Sequence, residues 1–497
     1  MTKTLTLYFT FLLMMAILLV NCRKENLLTD SSAKLEFSVD TVLFDTVFTS
    51  IGSTTFLLKA YNPHNQEIEV SKIQIEQGSG SSYRINVDGI DGFSHNDVSI
   101  LPNDSIFIFV EVTIDPANLD LPFIVEDNIV FQTNGNEQKV NLTAWGQDAY
   151  FHGGLENITV LESNAEWNND KPHVIYGIVA VDSAECLLIN AGTQVYCHDG
   201  SGLYIYKGCL RVEGELNNEV VFQGDRLEPF YEDLSGQWGI EIDFEYETQF
   251  GLETATITRG GIWFYECLES SLEYAVLKNG IIGLQVDTSG VAAGEYAVTI
   301  NNSIIKNMSA VGLYGVGGSV YGENDLIANC GQSCMSLAVG GKYYFNQTTI
   351  ANYWNESNRQ APAFALTNYY EDLNGNLQIR SVDANFKNCI LYGNNADLNE
   401  FSEFLIDLEN EESQQFVFTN CFVDTERDVS DDGEHFFNLS NNPSEPPFDN
   451  PFDADFDLPS SINSNLTSSQ IGGIGEDIEG WTRNSPTAFG CYEANGE

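Results

Sequence analysis

A five-residue pattern with an apolar third position recurs along the second half of the chain, at steps of 20, 28, 22 and 23 residues and then of 41 and 32. Asn follows the central residue two positions later in most copies, and Asn suits a tight turn because it tolerates the left-handed backbone conformation. A period near 22 predicts the stacked coils of a parallel β-helix, with the central residues in one inward stack. The central residues are Ile257, Leu277, Ile305, Ile327, Ile350, Leu391 and Val423.

Steps longer than this period predict loops that bulge from the coils near residues 287–296, 355–385 and 395–415. The β-helix is expected to occupy residues 160–493. Leucine-rich repeats share the period, but their spacing of leucines is absent from this sequence.

Residues 34–149 show a different pattern, with short runs in which apolar and polar residues alternate. One such run is Ser105–Val112, and turn signals such as Asn62-Pro63 separate the runs. Alternation with a period of two and turns at this spacing predicts an antiparallel β-sandwich of roughly seven strands. We therefore expect an all-β chain, an immunoglobulin-like β-sandwich followed by a right-handed parallel β-helix.

The charge balance excludes one class of partner. Asp and Glu number 72 against 21 Lys and Arg, and the formal net charge is −51. Binding to nucleic acid needs clustered cations that neutralise phosphates, so we expect no nucleic-acid partner. Hydrophobic residues make up 43% and aromatic residues 12% of the chain, which indicates a folded protein and not an acidic disordered one.

The N-terminus reads as a targeting segment. Residues 1–21 carry Lys3 and then an apolar run that is short for a spanning helix and typical of a signal peptide. The run Leu19-Val20-Asn21-Cys22 resembles the lipobox of bacterial lipoproteins, which implies that Cys22 is acylated and that residues 22–33 form a polar tether. The alternative is an ordinary secretory signal with a chance cysteine. Lys24-Glu25 after the cysteine is similar to the surface-export signal of Bacteroidota lipoproteins, which implies an outer-membrane, cell-surface location.

Two further resemblances concern the folded parts. Tyr61-Asn62-Pro63, followed by Phe109-Val110-Glu111-Val112 and later by Trp145-Gly146, resembles Hydin-like immunoglobulin-fold domains. The repeats, together with the closing Gly490-Cys491-Tyr492-Glu493, resemble right-handed, pectate-lyase-like β-helix proteins. The whole arrangement is similar to β-helix lipoproteins of Bacteroidota. The resemblance implies a fold and a location, and it implies no activity.

Ten cysteines are present, and nine remain if Cys22 carries lipid. An odd number cannot pair completely, so the sequence leaves the disulfide pairing open. Most of the nine lie within apolar runs, where Cys acts as a small buried residue.

Catalytic motifs are not assembled in the sequence. The motif sets of polygalacturonase-type hydrolases are absent, and the six His show no metal-protease spacing. The first hypothesis is therefore a non-catalytic, surface-anchored protein for adhesion, glycan binding or envelope structure, with polysaccharide or another surface protein as partner. The alternative is a polysaccharide lyase or glycoside hydrolase of an unrecognised β-helix family.

Aromatic side chains that are expected to be exposed support the first hypothesis, because aromatic rings stack on sugar rings. Tyr343, Tyr344 and Trp354 are the predicted glycan-stacking residues. Further aromatic residues of the expected binding face are Tyr204, Tyr206, Trp263, Phe264, Tyr265, Tyr353, Tyr369 and Tyr370. The alternative for many of these rings is packing between coils.

Two acidic loops near the C-terminus predict calcium as a possible ligand. Residues 428–434 place side chains with oxygen ligands at alternating positions and a Gly at the sixth, like half of an EF-hand loop. The alternative for both loops is an ordinary solvated surface. The predicted ligands are Asp428, Asp432, Asp449, Asp453, Asp455 and Asp457.

Overall fold

The structure, a computed structural model, divides into two compact units, residues 1–148 and 149–497. It describes residues 27–48, 53, 55–114, 123–154, 158–248, 251–292, 294–372, 374–394, 402–441, 447–459, 462, 464–468 and 474–494. These residues form β-strands and five short 3-10 turns, and they contain no α-helix. None of the helices in the described part is long and apolar enough to cross a membrane. The predicted fold class is confirmed.

The first unit is a β-sandwich of two sheets, each with five strands in the described residues. The first sheet contains, in spatial order, Glu36–Phe37, Phe56–Tyr61, Ser105–Val112, Tyr83–Val87 and Ile90–Gly92. The second contains Thr41–Phe48, Asn136–Gln147, Phe123–Thr133, Ile68–Ile75 and Ser94–Ile100. Pairing is antiparallel except between Thr41–Phe48 and Asn136–Gln147. The predicted alternation of Ser105–Val112 is present, with every second side chain buried in the sandwich core.

The second unit is a right-handed parallel β-helix whose three faces we name A, B and C in the order in which the chain visits them. In the described residues face A has 11 strands, face B nine and face C ten. Face A contains Tyr150–Gly153, His173–Tyr176, Gln194–Cys197, Val220–Gly224, Ala275–Lys278, Ile304–Met308, Leu326–Cys330, Thr349–Asn352, Ile390–Gly393, Phe422–Val423 and Ser440–Asn441.

Faces B and C complete the coils. Face B contains Thr159–Val160, Ile178–Val181, Gly202–Tyr206, Ile262–Tyr265, Ile282–Asp287, Val311–Val316, Ser333–Ala338, Phe364–Thr367 and Phe404–Asp407. Face C contains Glu166–Trp167, Cys186–Asn190, Cys209–Glu213, Ser270–Glu273, Val298–Asn301, Ser319–Glu323, Gly341–Asn346, Val382–Lys387, Gln415–Thr419 and Phe436–Phe437. Three antiparallel pairs lie outside these faces: Ile240–Thr248 with Gly251–Arg259, Tyr369–Glu371 with Leu377–Ile379, and Thr467–Ser468 with Thr487–Ala488.

The predicted inward stack is present on face A, with one correction. Leu277, Ile305, Ile327 and Ile350 are register partners from coil to coil, and each is at most 1% exposed. Ile257 is not part of the stack, because its strand pairs antiparallel with Ile240–Thr248 in a hairpin inserted between faces A and B of one coil. The same five-residue pattern therefore marks a coil strand in most copies and a hairpin strand in this one.

The start of the β-helix also differs from the expected position. The first strand of face A is Tyr150–Gly153, ahead of the predicted start at residue 160. That strand is short and contains His152, so its sequence lacks the apolar alternation of the later coils.

Cysteines fill the core as expected, and two of them pair. Cys186 and Cys209 are register partners on neighbouring strands of face C and form a disulfide. Seven further cysteines of the described residues are free and buried.

Candidate functional site

The corners of the β-helix differ in the length of their turns. From Tyr274 onward, every described turn from face C to face A has one or two residues, and its first residue has a positive φ. The turns on either side of face B are longer in several coils. The long insertions are residues 225–261, 353–363 and 394–403 between faces A and B, and residues 288–297 and 368–381 between faces B and C.

Stacked amides hold the short corner in register. Asn324 donates from Nδ2 to Oδ1 of Asn302 at 2.7 Å, and Asn438 donates to Asn420 at 2.8 Å. In repeat proteins, insertions collect on the face that binds a partner. Because all five long insertions border face B, the outer surface of face B is the candidate functional site.

Four aromatic residues form a platform on the outer surface of face B. Tyr204 and Tyr206 lie on one strand, and Trp263 and Tyr265 are their register partners on the next. The Tyr204 and Trp263 rings stack with centroids 4.4 Å apart, and the Tyr206 and Tyr265 centroids are 6.1 Å apart. All four side chains are half-buried, so their edges and polar atoms reach the surface. We call these four residues the aromatic platform.

Polar groups border the aromatic platform on the next strand. Trp263 Nε1 donates to Oδ2 of Asp287 at 2.8 Å, and Gln285 Nε2 donates to the same carboxylate. Burial raises the pKa of Asp287, although both hydrogen bonds and the charge of Arg259 oppose that shift. The Arg259 guanidinium lies 5.5 Å from the centroid of the Trp263 ring. The site thus combines ring surfaces with one carboxyl group and one guanidinium.

Small side chains continue the surface beyond the platform. Tyr314 is followed along the register by Ser336 and Ala365, and the neighbouring column continues from Val316 to Ala338. Small side chains project less far from a sheet than aromatic rings do, and we call the outer surface of face B, from the aromatic platform to these residues, the trough. The hairpin of Tyr369–Glu371 borders the trough on the side of face C.

A buried ion pair fixes one of the insertions that border face B. Arg359 of the 353–363 insertion donates from both terminal nitrogens to Glu403, which ends the 394–403 insertion. Both side chains are at most 3% exposed, and the backbone N–H of Ala363 donates to the same carboxylate at 2.8 Å. A buried charge is costly without its partner, so this ion pair holds the 353–363 insertion against Glu403, next to the face B strand Phe404–Asp407.

The three predicted glycan-stacking residues take different positions, and two need correction. Tyr343 is 1% exposed in the β-helix core, and its hydroxyl donates to the Gly340 carbonyl. Trp354 is 9% exposed and donates from Nε1 to Ser357 within its own insertion. Neither ring has a face available for a sugar. Tyr344 lies on the outer surface of face C, where it stacks on Tyr321 at 4.8 Å.

The first acidic loop uses its carboxylates in hydrogen bonds within the loop. Asp432 Oδ1 accepts backbone N–H groups from Glu434, His435 and Phe436, and these bonds hold its pKa at about 2. Asp428 accepts from Ser430 in the same way. Among the described residues, no group of three or more His, Cys, Asp or Glu side chains has the arrangement of a metal site.

The second loop, with Asp449, Asp453, Asp455 and Asp457, accepts mainly local hydrogen bonds. Burial and the neighbouring acids raise the pKa of Asp457 to about 6. Calcium binding at either loop stays a prediction. Cys22, the predicted lipidation site, lies outside the described residues.

Sequence reasoning identified the aromatic platform only as a set of exposed rings, and it missed Asp287. The signal was available, because Ile282–Asp287 is a coil strand that ends with the polar residues Gln285 and Asp287 on its outer side. The contact of Arg259 with the platform could not be read in this way, since Arg259 belongs to the inserted hairpin.

Comparisons with known proteins give limited likenesses. No protein-family model and no curated protein matches the chain. It is similar to the catalytic unit of a GH87 α-1,3-glucanase from Streptomyces thermodiastaticus, with 11% identity, 74% of this chain and 73% of that chain covered, and a TM-score of 0.26. It is also similar to PapD-like domain 7 of human CEP192, with 10% identity and a TM-score of 0.17. This match covers 26% of this chain and 96% of that domain.

A third likeness is to a family 123 glycoside hydrolase from Clostridium perfringens, with 8% identity and a TM-score of 0.17. It covers 23% of this chain and 26% of that enzyme, so the chain spans about a quarter of that enzyme's length. At these TM-scores the likenesses carry no argument about the activity of this chain.

Proposed function

We propose that this protein binds glycans in the trough on face B and that it does so while anchored to the outer surface of the cell. The observation that carries the proposal is the coincidence of two features on one face. The long insertions of the β-helix border face B, and the aromatic platform of Tyr204, Tyr206, Trp263 and Tyr265 lies on its outer surface. Rings with polar edges and a few fixed hydrogen-bonding groups are what a sugar-binding surface requires.

The platform can be tested by removing its central ring. We expect the purified protein to retain a subset of a glycan array, and Trp263→Ala to lose that binding. Trp263 is stacked on Tyr204 and hydrogen-bonded to Asp287, so its removal disturbs the whole platform.

Trp481→Ala is a matched control, because this tryptophan is 56% exposed and belongs to the C-terminal segment. Its glycan binding should equal that of the unmodified protein. Equal losses in the two variants would count against a site on face B, and the absence of any bound glycan would refute the proposal.

A second candidate function, cleavage of the bound glycan, is favoured by Asp287. Burial raises the pKa of this carboxyl group, and a carboxyl with a raised pKa is better suited to donate a proton as a general acid. If the protein cleaves its ligand, reducing-end analysis will detect products that disappear in Asp287→Asn. Binding without products would leave the non-catalytic function in place.

The anchor is proposed from the sequence, which resembles the lipobox of bacterial lipoproteins at Leu19-Val20-Asn21-Cys22 and the surface-export signal of Bacteroidota lipoproteins at Lys24-Glu25. Acyl chains hold a protein at a membrane because each buried methylene contributes about 0.8 kcal/mol. We expect labelled fatty acid to be incorporated into the chain and to be absent from Cys22→Ser. Protease treatment of intact cells should degrade the protein if it faces outward, whereas full protection would contradict the surface location.

A further inference from the structure

We infer that a pocket at the edge of face B binds one acidic substituent of the glycan, a carboxylate or a sulfate ester on a sugar. The inference rests on the proposed function, because it names the class of glycan that the trough accepts. The pocket has a volume of about 430 Å³ and lies at the turns between faces B and C. Its lining residues are Thr288, Val316, Gly317, Val339, Gly341, Tyr370, Arg380 and Ser381.

The pocket is continuous with the trough. Thr288 directly follows Asp287, the carboxylate that accepts from Trp263 of the aromatic platform. Val316 is the register partner of Asp287 on the next coil. A sugar chain that lies against the platform therefore reaches the pocket within one coil, and parallel coils are about 4.8 Å apart.

The charge of the lining is unusual for this chain. Acidic residues outnumber basic ones by 72 to 21, yet the lining contains Arg380 and no Asp or Glu. Arg380 is exposed, and it forms no ion pair with any residue that the structure describes. A guanidinium offers a planar pair of donors that matches a carboxylate or sulfate group.

The backbone holds Arg380 in place. Its N–H donates to the Asn368 carbonyl at 2.7 Å, and Gly341 donates to the Ser381 carbonyl at 3.0 Å. A side chain at Gly340 would come within 2.5 Å of the Ser381 oxygen and 2.8 Å of the Arg380 Cβ, so this close approach requires glycine.

Strain in the lining indicates that the pocket geometry is maintained. Thr288 has φ 36° and Val339 has φ 62°, and β-branched residues rarely adopt these values. Strain of this kind costs stability and is concentrated at functional sites. Tyr370, Ser381 and Thr288 add hydroxyl groups to the lining of the pocket.

The net charge limits the ligand further. A chain with a formal net charge of −51 repels a polyanion over the screening length, which is about 8 Å at physiological salt. A single anionic group at Arg380 instead forms a direct ion pair with the guanidinium. We therefore expect a glycan with sparse acidic residues, and we expect uniformly charged polyuronates to bind poorly.

The test uses saturation-transfer NMR on the full chain with three probes: methyl glucuronide, methyl glucoside and methyl glucoside 6-sulfate. We expect an anionic probe to bind roughly tenfold more tightly than the neutral one, since one charge-assisted hydrogen-bond pair distinguishes them. Arg380→Gln should abolish this preference. Arg211→Gln, which removes an exposed arginine from face C, should preserve it.

The outcomes separate the two proposals. Equal binding of charged and neutral probes, or a preference that survives in Arg380→Gln, overturns the acidic-substituent pocket. If array glycans still depend on Trp263 in that case, the proposed function stands without it. If the glucuronide or the sulfate depends on Arg380 while no array glycan depends on Trp263, the pocket stands and the platform does not. Failure of every probe and every array glycan overturns both.

Discussion

Faces A and B enclose the same core, but the chain itself covers part of the outer surface of face A and leaves the outer surface of face B open. From Leu326 onward, the outer residues of face A are mostly apolar and are covered by described residues of the C-terminal segment between 447 and 494. The covering residues include Phe448, Phe456 and Leu458. Face B has no such apolar cover among the described residues of the second unit, and its outer side chains include the aromatic platform together with polar and small residues.

The strands themselves show the difference. Thr349–Asn352 and Ile390–Gly393 of face A are buried at all four positions, whereas Phe364–Thr367 of face B alternates between buried and half-buried. A strand that is apolar on both sides requires a second layer, and an alternating strand tolerates solvent. The core residues therefore set where the coils lie. The residues at the outer positions decide which face the chain itself covers and which face is open to a ligand.

The largest effect is expected in the inward stack, because this part of the β-helix core lies beneath both faces. Ile327→Asp would place an unpaired carboxylate in the inward stack between Ile305 and Ile350, at a cost of several kcal/mol. We expect loss of the folded β-helix, measured by circular dichroism and solubility. Ile327→Val, which removes one methylene, should remain folded with a loss of about 1 kcal/mol. A soluble Asp variant that melts like the unmodified protein would contradict the assigned stack.

A smaller but substantial effect is expected at the insertions that border face B. Arg359→Ala leaves Glu403 buried without its cation, and breaking such a pair costs about 3–5 kcal/mol. Thermal melting should show this loss, together with faster proteolysis in residues 353–363. Arg427→Ala is the control, since its pair with Glu411 is about one-third exposed and should contribute less than about 1 kcal/mol. Equal losses in both variants would remove the special role of the buried pair.

The cover of face A is tested by a cavity in the C-terminal segment. Leu458→Ala removes a buried side chain that is 4% exposed, and we expect a loss of about 2–3 kcal/mol with increased binding of a hydrophobic dye. Glycan binding on face B should be unchanged. If Leu458→Ala impaired glycan binding as much as Trp263→Ala does, the two outer surfaces would not be independent.

The smallest effect is expected from pH, and it concerns only the cover and the coil beneath it. Burial raises the pKa of Asp424 to about 6, with Glu403 adding to the shift and Arg359 opposing it. The pKa of Asp457 is raised to about 6 by burial and by nearby acids, which are Asp449, Asp455, Asp477 and Glu479.

A carboxyl whose pKa is higher in the folded state contributes stability that is complete below its unfolded pKa near 3.9 and is lost as the pH rises through 6. The melting temperature should therefore rise by a few degrees between pH 7 and pH 5. The double variant Asp424→Asn, Asp457→Asn should be less sensitive to pH over this range. An unaltered pH dependence in that variant would assign the effect to the general self-repulsion of the chain.

The sequence by itself determined the two architectures and the inward stack. A repeat of about 22 residues with an apolar centre predicts coils that bury the same position in every turn. Alternation of apolar and polar residues with a period of two predicts the strands of the sandwich. The sequence also predicted the backbone conformation at one corner, since Asn279, Asn307 and Asn329 have the expected left-handed conformation. The strand rule could have excluded one error, because neighbours such as Tyr343 and Tyr344 must point to opposite sides of a sheet.

Only the tertiary structure decided which residues meet. Ile257 carries the repeat pattern but belongs to a hairpin, because its partner strand lies a few residues before it and not in the next coil. Asp432 looks like a calcium ligand in sequence, but its oxygen accepts three N–H groups of its own loop. Asp287 and Arg259 reach the same tryptophan from different strands. Local pattern sets the conformation of a strand, whereas the site depends on how insertions of unequal length bring separate strands together.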